Sequence, residues 1–199
     1  MPQKIYLIRH GETDYNAARR MQGWLDIPLN DIGREQAKLT ASKLIGVAID
    51  HIYSSDLRRA HETAQHVSRI IKKEIVSTMA LRERDMGIFA GWQWEQERDV
   101  VKDRLWEEFV HARDNEDMHW NGHGGESLHQ MSERITTFMD TLHSQHSNKS
   151  VVVVSHGGTI NRLLEIYQFK KALDGYKMIG NASILVMTKT TTSYTLSEL

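Results

Sequence analysis

Cysteine is absent, which removes disulfides, thiolate metal sites and cysteine nucleophiles together. Proline is nearly absent. Pro2 and Pro28 are the only two in 199 residues, and no Pro/Gly/Ser-rich linker or repeat divides the chain. An excess of one charge is also missing: 25 Lys and Arg face 26 Asp and Glu, a formal net charge of -1. Non-specific nucleic-acid binding depends on neutralising phosphates with cations, so this balance gives it no support. No uncharged apolar stretch is long enough to span a bilayer. Met1-Pro2-Gln3-Lys4 has none of the apolar character of a leader peptide. A soluble cytoplasmic protein with no nucleic-acid or membrane partner is the expectation. With 199 residues, 40% of them hydrophobic, the chain can bury a real core and suits one domain, residues 1–199.

What is present has a rhythm. Apolar runs at Lys4 to Ile8, Asp50 to Tyr53, Glu74 to Ser77, Ser150 to Val154, Ser183 to Met187 and Tyr194 to Leu196 read as strands. Between them lie helix patterns. Asn30 or Asp31 can cap a helix carrying Ala37, Leu44 and Ile45, and Ser55 or Asp56 can cap the next, ending near Ile71. Ser127 to about His143 places Leu128, Met131, Ile135, Phe138 and Leu142 at helical spacing, and Gly158 to Tyr167 follows. Alternation of this kind predicts an α/β fold of three layers, a mostly parallel central sheet flanked by helices. Residues 84–125 break the rhythm. They are rich in Trp, His and charge, with a polar helix from Trp92 to about Ala112, and read as a helical insertion over an active site.

Two strands end in a histidine followed by glycine. Arg9-His10-Gly11 follows Ile5-Tyr6-Leu7-Ile8, and His156-Gly157 comes just after Val151-Val152-Val153-Val154. Open α/β sheets bind ligands at the carboxyl ends of their strands, where strand order reverses. Both histidines could face one pocket, and the neighbouring arginine suggests an anion there. A neutral imidazole nitrogen escapes the repulsion that a phosphate ester exerts on an anionic nucleophile, and it can form a covalent phospho-intermediate. The plainer alternative is a pair of satisfied core histidines.

A set of landmarks runs in order along the chain. It begins with Leu7-Ile8-Arg9-His10-Gly11-Glu12-Thr13, Asn16, Gln22-Gly23, Asp26-Ile27-Pro28-Leu29 and Gly33-x-x-Gln36-Ala37. It continues with Tyr53-Ser54-Ser55-Asp56-Leu57-x-Arg59-Ala60, Thr63-Ala64, Leu81-Arg82-Glu83, Gly87, Gly91 and Gly125-Glu126-Ser127. It ends with Val154-Ser155-His156-Gly157-Gly158 and Gly180-Asn181-Ala182-Ser183. Arg-His-Gly alone is weak, but the ordered set covers nearly the whole chain and is specific. In these landmarks the chain resembles the histidine phosphatase superfamily, also called the phosphoglycerate mutase-like family.

The resemblance implies a metal-independent phosphohydrolase that needs no cofactor and acts on a small phosphorylated metabolite, with a homodimer left open. His10 would be the nucleophile, and Arg9 with Arg58 would hold the phosphoryl group, Arg58 being chosen by counting back from Ala60. Arg59 is taken as its exposed or ion-paired neighbour. His156 would donate hydrogen bonds to the phosphoryl oxygens, helped by Gly157. Asn16, Gln22 and Gly23 would add phosphate contacts. Glu83 would be the general acid and base, with Glu12 a weaker candidate. His119 with His123, and His143 with His146, have spacings that suit metal ligands but lack converging partners. The aromatic residues Trp92, Trp94, Trp106 and Trp120 either line a substrate pocket or anchor the insertion. A phosphoglycerate mutase and a non-catalytic module on the same scaffold are the alternatives. The mutases resembled are longer, and Ala90 stands where an acidic residue is expected before Gly91.

Overall fold

The computed structural model describes residues 2–93, 95–169, 179–190 and 193–199. Its strands are β1 (Gln3–Arg9), β2 (His51–Ser55), β3 (Ile75–Thr78), β4 (Ser150–Ser155), β5 (Ile184–Lys189) and β6 (Tyr194–Glu198). Its α-helices are α1 (Asp14–Ala17), α2 (Asp31–Ser42), α3 (Arg58–Ile71), α4 (Val100–Asp114), α5 (Leu128–Gln145) and α6 (Gly157–Ile166). The strands form one sheet in the order β3-β2-β4-β1-β5-β6. Pairings among β1 to β4 are parallel, while β5 runs antiparallel to both β1 and β6. The expected α/β architecture is present.

Successive strand side chains point to opposite faces, and the sequence uses both. From β1 and β4, Ile5, Leu7, Val151 and Val153 enter one core with Met131, Ile135, Met139 and Leu142 of α5 and Ile160, Leu163 and Leu164 of α6. Tyr6, Ile8, Val152 and Val154 enter the other core, against Ala41 of α2 and Ala60, Ala64 and Val67 of α3. A central strand buried on both sides therefore reads as a continuous apolar run. Each fully buried Ile, Leu or Val of this kind contributes about 1.5–3 kcal/mol.

The helix boundaries differ in informative ways. Asn30 is the cap of α2, its side chain accepting the Gly33 N–H at 2.8 Å, but α2 ends at Ser42, so Leu44 and Ile45 lie beyond it. Neither Ser55 nor Asp56 caps α3. Leu57 stands at the cap with no side-chain bond, and Asp26, from a distant loop, accepts the Arg58 N–H at 2.7 Å. Asp56 instead forms a bidentate pair with Arg82, both bonds 2.7 Å. Ser127 does cap α5, through a reciprocal box with Gln130. The polar helix expected from Trp92 begins only at Val100, where Asp99 caps it.

The same sheet order assembles the site. Strands β2, β4 and β1 lie side by side, with Arg9 opposite Ser155 and Ser54 opposite Val154. Their carboxyl ends therefore deliver Ser55, His156 and His10 to one edge, although Ser55 and His156 lie 101 positions apart in the chain and His10 lies further still from His156.

Candidate active site

His10 is buried, and its Nδ1 lies 2.7 Å from the Gly11 carbonyl oxygen. A carbonyl can only accept, so Nδ1 carries the proton and donates it. Burial, then the charges of Arg59 and Arg9, holds the ring well below the usual histidine range. The imidazole is therefore neutral at physiological pH, with an unprotonated Nε2. The ring of His156 lies 5.1 Å away, centroid to centroid.

Gly11 is required by close approach. A Cβ there would lie 2.3 Å from the Gly33 carbonyl oxygen at the start of α2. The next amide, Glu12 N–H, donates to Gln36 Oε1 at 2.9 Å, which explains the spacing of Gly33 and Gln36. Thr63 of α3 accepts the Gly11 N–H at 3.1 Å. Glu12 itself is committed to this loop, its Oε1 accepting from Asn30 Nδ2 at 2.9 Å.

The structure exchanges the two arginines of α3. Arg58 points outward with a side-chain exposure of 60% and pairs with Glu62 at 3.6 Å. It does not reach the histidines. Arg59 is fully buried. Its Nε donates to His156 Nδ1 at 3.2 Å, its Nη1 to the Leu25 carbonyl at 2.7 Å and its Nη2 to the Gly23 carbonyl at 2.8 Å. The reason is helical geometry: consecutive residues sit about 100° apart, so only one of them can face the sheet end. Ala60 and Thr63 share the buried side with Arg59. Burial pushes Arg59 down to about 10, partly offset by Glu83 and Asp26, so it stays charged at neutral pH.

Arg9 joins from the end of β1, with Nη1 donating to the Ile179 carbonyl at 2.5 Å. Its buried Nε has no hydrogen-bond partner among the described residues. Burial lowers the pKa of Arg9, and Glu83 opposes that shift.

His156 has both ring nitrogens engaged. Arginine Nε is always a donor, so Nδ1 accepts. The proton of the neutral ring is then on Nε2, which donates to Ser55 Oγ at 2.8 Å. Burial, Arg59, His10, Arg134 and Arg9, in that order, keep the ring well below the usual range. A phosphoryl oxygen can take the Nε2–H only by displacing Ser55.

Glu83 lies beyond the short 3₁₀ turn Met79–Leu81. Its Oε2 accepts the Gly158 N–H and its Oε1 the Arg84 N–H, both at 2.9 Å. A Cβ at Gly158 would lie 2.4 Å from Glu83 Oε1, so a larger residue there has to displace the carboxylate. The Glu83 carbonyl accepts from Trp24 Nε1 at 2.7 Å and Arg134 Nη2 at 3.1 Å. Arg134 is held in turn by Glu126, at 2.6 and 2.7 Å.

The remaining positions divide. Asn16 caps α1 jointly with Thr13, and its Oδ1 also accepts from Asn181 Nδ2 at 3.3 Å. Asn181 donates to the His10 carbonyl at 3.1 Å. Gln22 Oε1 accepts the Thr13 hydroxyl at 3.0 Å. Gly23 supplies the carbonyl that holds Arg59, and Gly157 opens α6 directly after His156.

The histidine pairs do not converge. His143 bonds Gln3, Tyr167 and Tyr194, whereas His146 bonds Tyr53. His119 is exposed beside His129, while His123 is buried with Nε2 3.2 Å from the Asp85 carbonyl. The aromatic residues of 84–125 pack mainly on one another. Phe89 and Trp92 are buried and stacked at 5.5 Å, and Trp106, Phe109, Trp120 and His123 complete the cluster. That favours the anchoring role for Trp92; Trp94 lies outside the described residues.

The family model of the histidine phosphatase superfamily (branch 1) matches residues 5–199. The chain belongs to that superfamily. It is 40% identical over 164 residues to phosphoglycerate mutase-like protein 4 of Arabidopsis thaliana, covering 81% of this chain and 70% of the relative. It is 34% identical over 155 residues to phosphoserine phosphatase 1 of Hydrogenobacter thermophilus, covering 77% and 70%. Among solved structures, a mycobacterial glucosyl-3-phosphoglycerate phosphatase in complex with VO3 superposes with a TM-score of 0.81 at 30% identity, covering 98% of this chain and 97% of the other. Like these relatives, this histidine phosphatase superfamily member spans most of their length. No helix among its described residues is long and apolar enough to cross a membrane.

Several site residues escaped the sequence reading. Arg59 was legible, since it stands directly before Ala60. Trp24 follows Gln22-Gly23 and Gly158 follows His156-Gly157, so both were adjacent to recognised landmarks. Ser55 stands in the landmark Tyr53-Ser54-Ser55-Asp56 but carries only the signal of a helix cap, and Arg134 carries no local signal.

Proposed function

We propose that this protein is a metal-independent phosphohydrolase of small phosphomonoesters, working through a phosphohistidine on His10. The observation that carries the reading is the orientation of His10. Its Nδ1 is tied to the Gly11 carbonyl, so the unprotonated Nε2 is left for attack beside Arg9 and Arg59. Relatives named as phosphoserine phosphatase and glucosyl-3-phosphoglycerate phosphatase support a phosphatase. A VO3 group in the second of these is an oxyanion of the kind such a site takes.

In this reading the substrate phosphoryl group lies between Arg9 and Arg59, whose remaining N–H groups meet its oxygens. Asn16, Gln22, Gly23 and Gly157 form the rim of the anion pocket. Nε2 of His10 attacks phosphorus, the P–O ester bond breaks, and protonated Glu83 gives its proton to the departing alkoxide. Glu83, now a carboxylate, takes a proton from water. The resulting hydroxide attacks phosphorus, the P–N bond breaks, and inorganic phosphate leaves. His156 keeps Arg59 in register through Nδ1. Residues 84–125 border this pocket within a single domain, and the protein acts in the cytoplasm.

The test is a panel of phosphomonoesters, including phosphoserine and 3-phosphoglycerate, assayed for released phosphate and for isomerisation, with and without EDTA. Phosphate release that survives EDTA, with a phosphohistidine trapped in wild type and absent in folded His10→Ala, is the expected result. Near-normal turnover by His10→Ala refutes the mechanism. The relative named phosphoglycerate mutase-like favours one second reading. Isomer formation without net phosphate release selects it.

A further inference from the structure

Trp24 belongs to a four-residue segment, Gly23–Asp26, that reaches several parts of the site at once. The carbonyls of Gly23 and Leu25 hold the Arg59 guanidinium, and Asp26 takes the first N–H of α3. Between them, the indole N–H of Trp24 donates to the Glu83 carbonyl at 2.7 Å. The indole face carries the Arg82 guanidinium, 4.9 Å from the ring centroid, which Asp56 holds by a bidentate bond. The segment therefore ties the anion-binding arginine and the acid/base residue to one short piece of backbone.

We propose that Trp24 is a positioning residue for Glu83: its Nε1–H fixes the main chain from which the Glu83 carboxyl group reaches the leaving group. The proposal rests on the acid/base reading of Glu83 given above. The physical argument concerns the loop. Glu83 follows a short 3₁₀ turn and lies outside any strand or helix, so no ladder of backbone bonds sets its position. Two side chains replace that ladder at its carbonyl, Trp24 and Arg134. Arg134 is already divided between Glu126, Ala80 and Glu83. Trp24 gives the shorter of the two bonds, and its indole plane is fixed by the cation above it. Proton transfer needs hydrogen-bond distance to the leaving oxygen, and a displacement of about 1 Å costs as much as 100-fold in rate.

The experiment replaces Trp24 in the full-length protein by Phe and, separately, by β-(3-benzothienyl)alanine, which keeps the indole shape but has sulfur in place of N–H. Each variant is compared with wild type on glycerol 2-phosphate, whose alkoxide needs a proton, and on p-nitrophenyl phosphate, whose phenolate does not. Tungstate inhibition reports the anion pocket, and a thermal melt reports the fold. The expected result is a fall in kcat on glycerol 2-phosphate of about 10- to 100-fold. KM and tungstate inhibition should change little, because the arginine is held by main-chain carbonyls that remain. The p-nitrophenolate burst should survive. In a Glu83→Gln background, either replacement should add nothing to the loss on the alkyl ester.

Unchanged turnover in the sulfur isostere overturns the proposal. So does an equal slowing of the phosphorylation step with both esters, or weaker tungstate inhibition in step with turnover. These outcomes would assign Trp24 to loop packing or to Arg59. Failure of the underlying reading shows separately, as a Glu83→Gln enzyme whose phosphorylation is slowed equally with both leaving groups.

Discussion

Arg59 Nε and His156 Nδ1 lie 3.2 Å apart, both fully buried, one the permanent donor and the other the acceptor. This bond fixes the tautomer of His156 and the plane of the guanidinium together. It also separates Arg59 from its neighbour Arg58, which shares its chemistry but not its direction.

Removing the two arginines one at a time should show that separation. Arg59→Ala should weaken tungstate inhibition and lower kcat by about 10²- to 10³-fold, the loss typical of a donor aimed at developing charge. Arg59→Lys should recover only part of this, since an ammonium cannot reach Gly23, Leu25 and His156 together. Arg58→Ala should leave both quantities near wild type, because its pair with Glu62 is exposed. Equal defects in Arg58→Ala and Arg59→Ala would refute the exchange.

Glu83→Gln should slow phosphorylation by an alkyl phosphate far more than by p-nitrophenyl phosphate, because only the first leaving group needs a proton. A burst of p-nitrophenolate should persist while the steady state slows, since water activation is also lost. Rapid-quench measurements with both esters decide it. Equal slowing of phosphorylation would move Glu83 to a binding role.

Gly158→Ala offers a substitution in which stability and activity part company. Alanine is the better helix former by about 1 kcal/mol, so α6 should not be weakened. The added Cβ, however, would lie 2.4 Å from Glu83 Oε1 and must displace the carboxylate. A drop in kcat of about 10- to 100-fold with an undiminished melting temperature is expected. A fully active variant would show that Glu83 has another productive position.

Acid should destabilise the fold through its buried and half-buried histidines. Burial, aided by Lys189, pushes His143 down from 6.5 to about 4, and His10 and His156 shift the same way. Between pH 6.5 and about 4 the unfolded chain binds a proton at His143 that the native chain does not, so stability falls as pH falls. Above pH 6.5 this term is constant. In urea unfolding, the stability gap between wild type and His143→Gln should therefore narrow from pH 7 toward pH 4. A gap independent of pH would contradict the shifted titration.

The sequence alone determined the layers. Val151 to Val154 must bury both faces, so a central strand with helices on each side was the available solution. It also determined the Arg9-His10-Gly11 loop at the end of the first strand, because those residues are contiguous, whereas the close approach of Gly11 to Gly33 appears only in the fold. Family landmarks added Glu83 and His156 in order along the chain. Tertiary structure decided what depends on direction and on distant partners. Ser55 and Asp56 had the chemistry of helix caps, but Arg82 captured Asp56, and Asp26 capped α3 from elsewhere in the chain. Arg58 and Arg59 are indistinguishable as letters. The approach angle of α3 to the ends of β2 and β4 chose between them, because about 100° of helical rotation puts one guanidinium against His156 and the other in water.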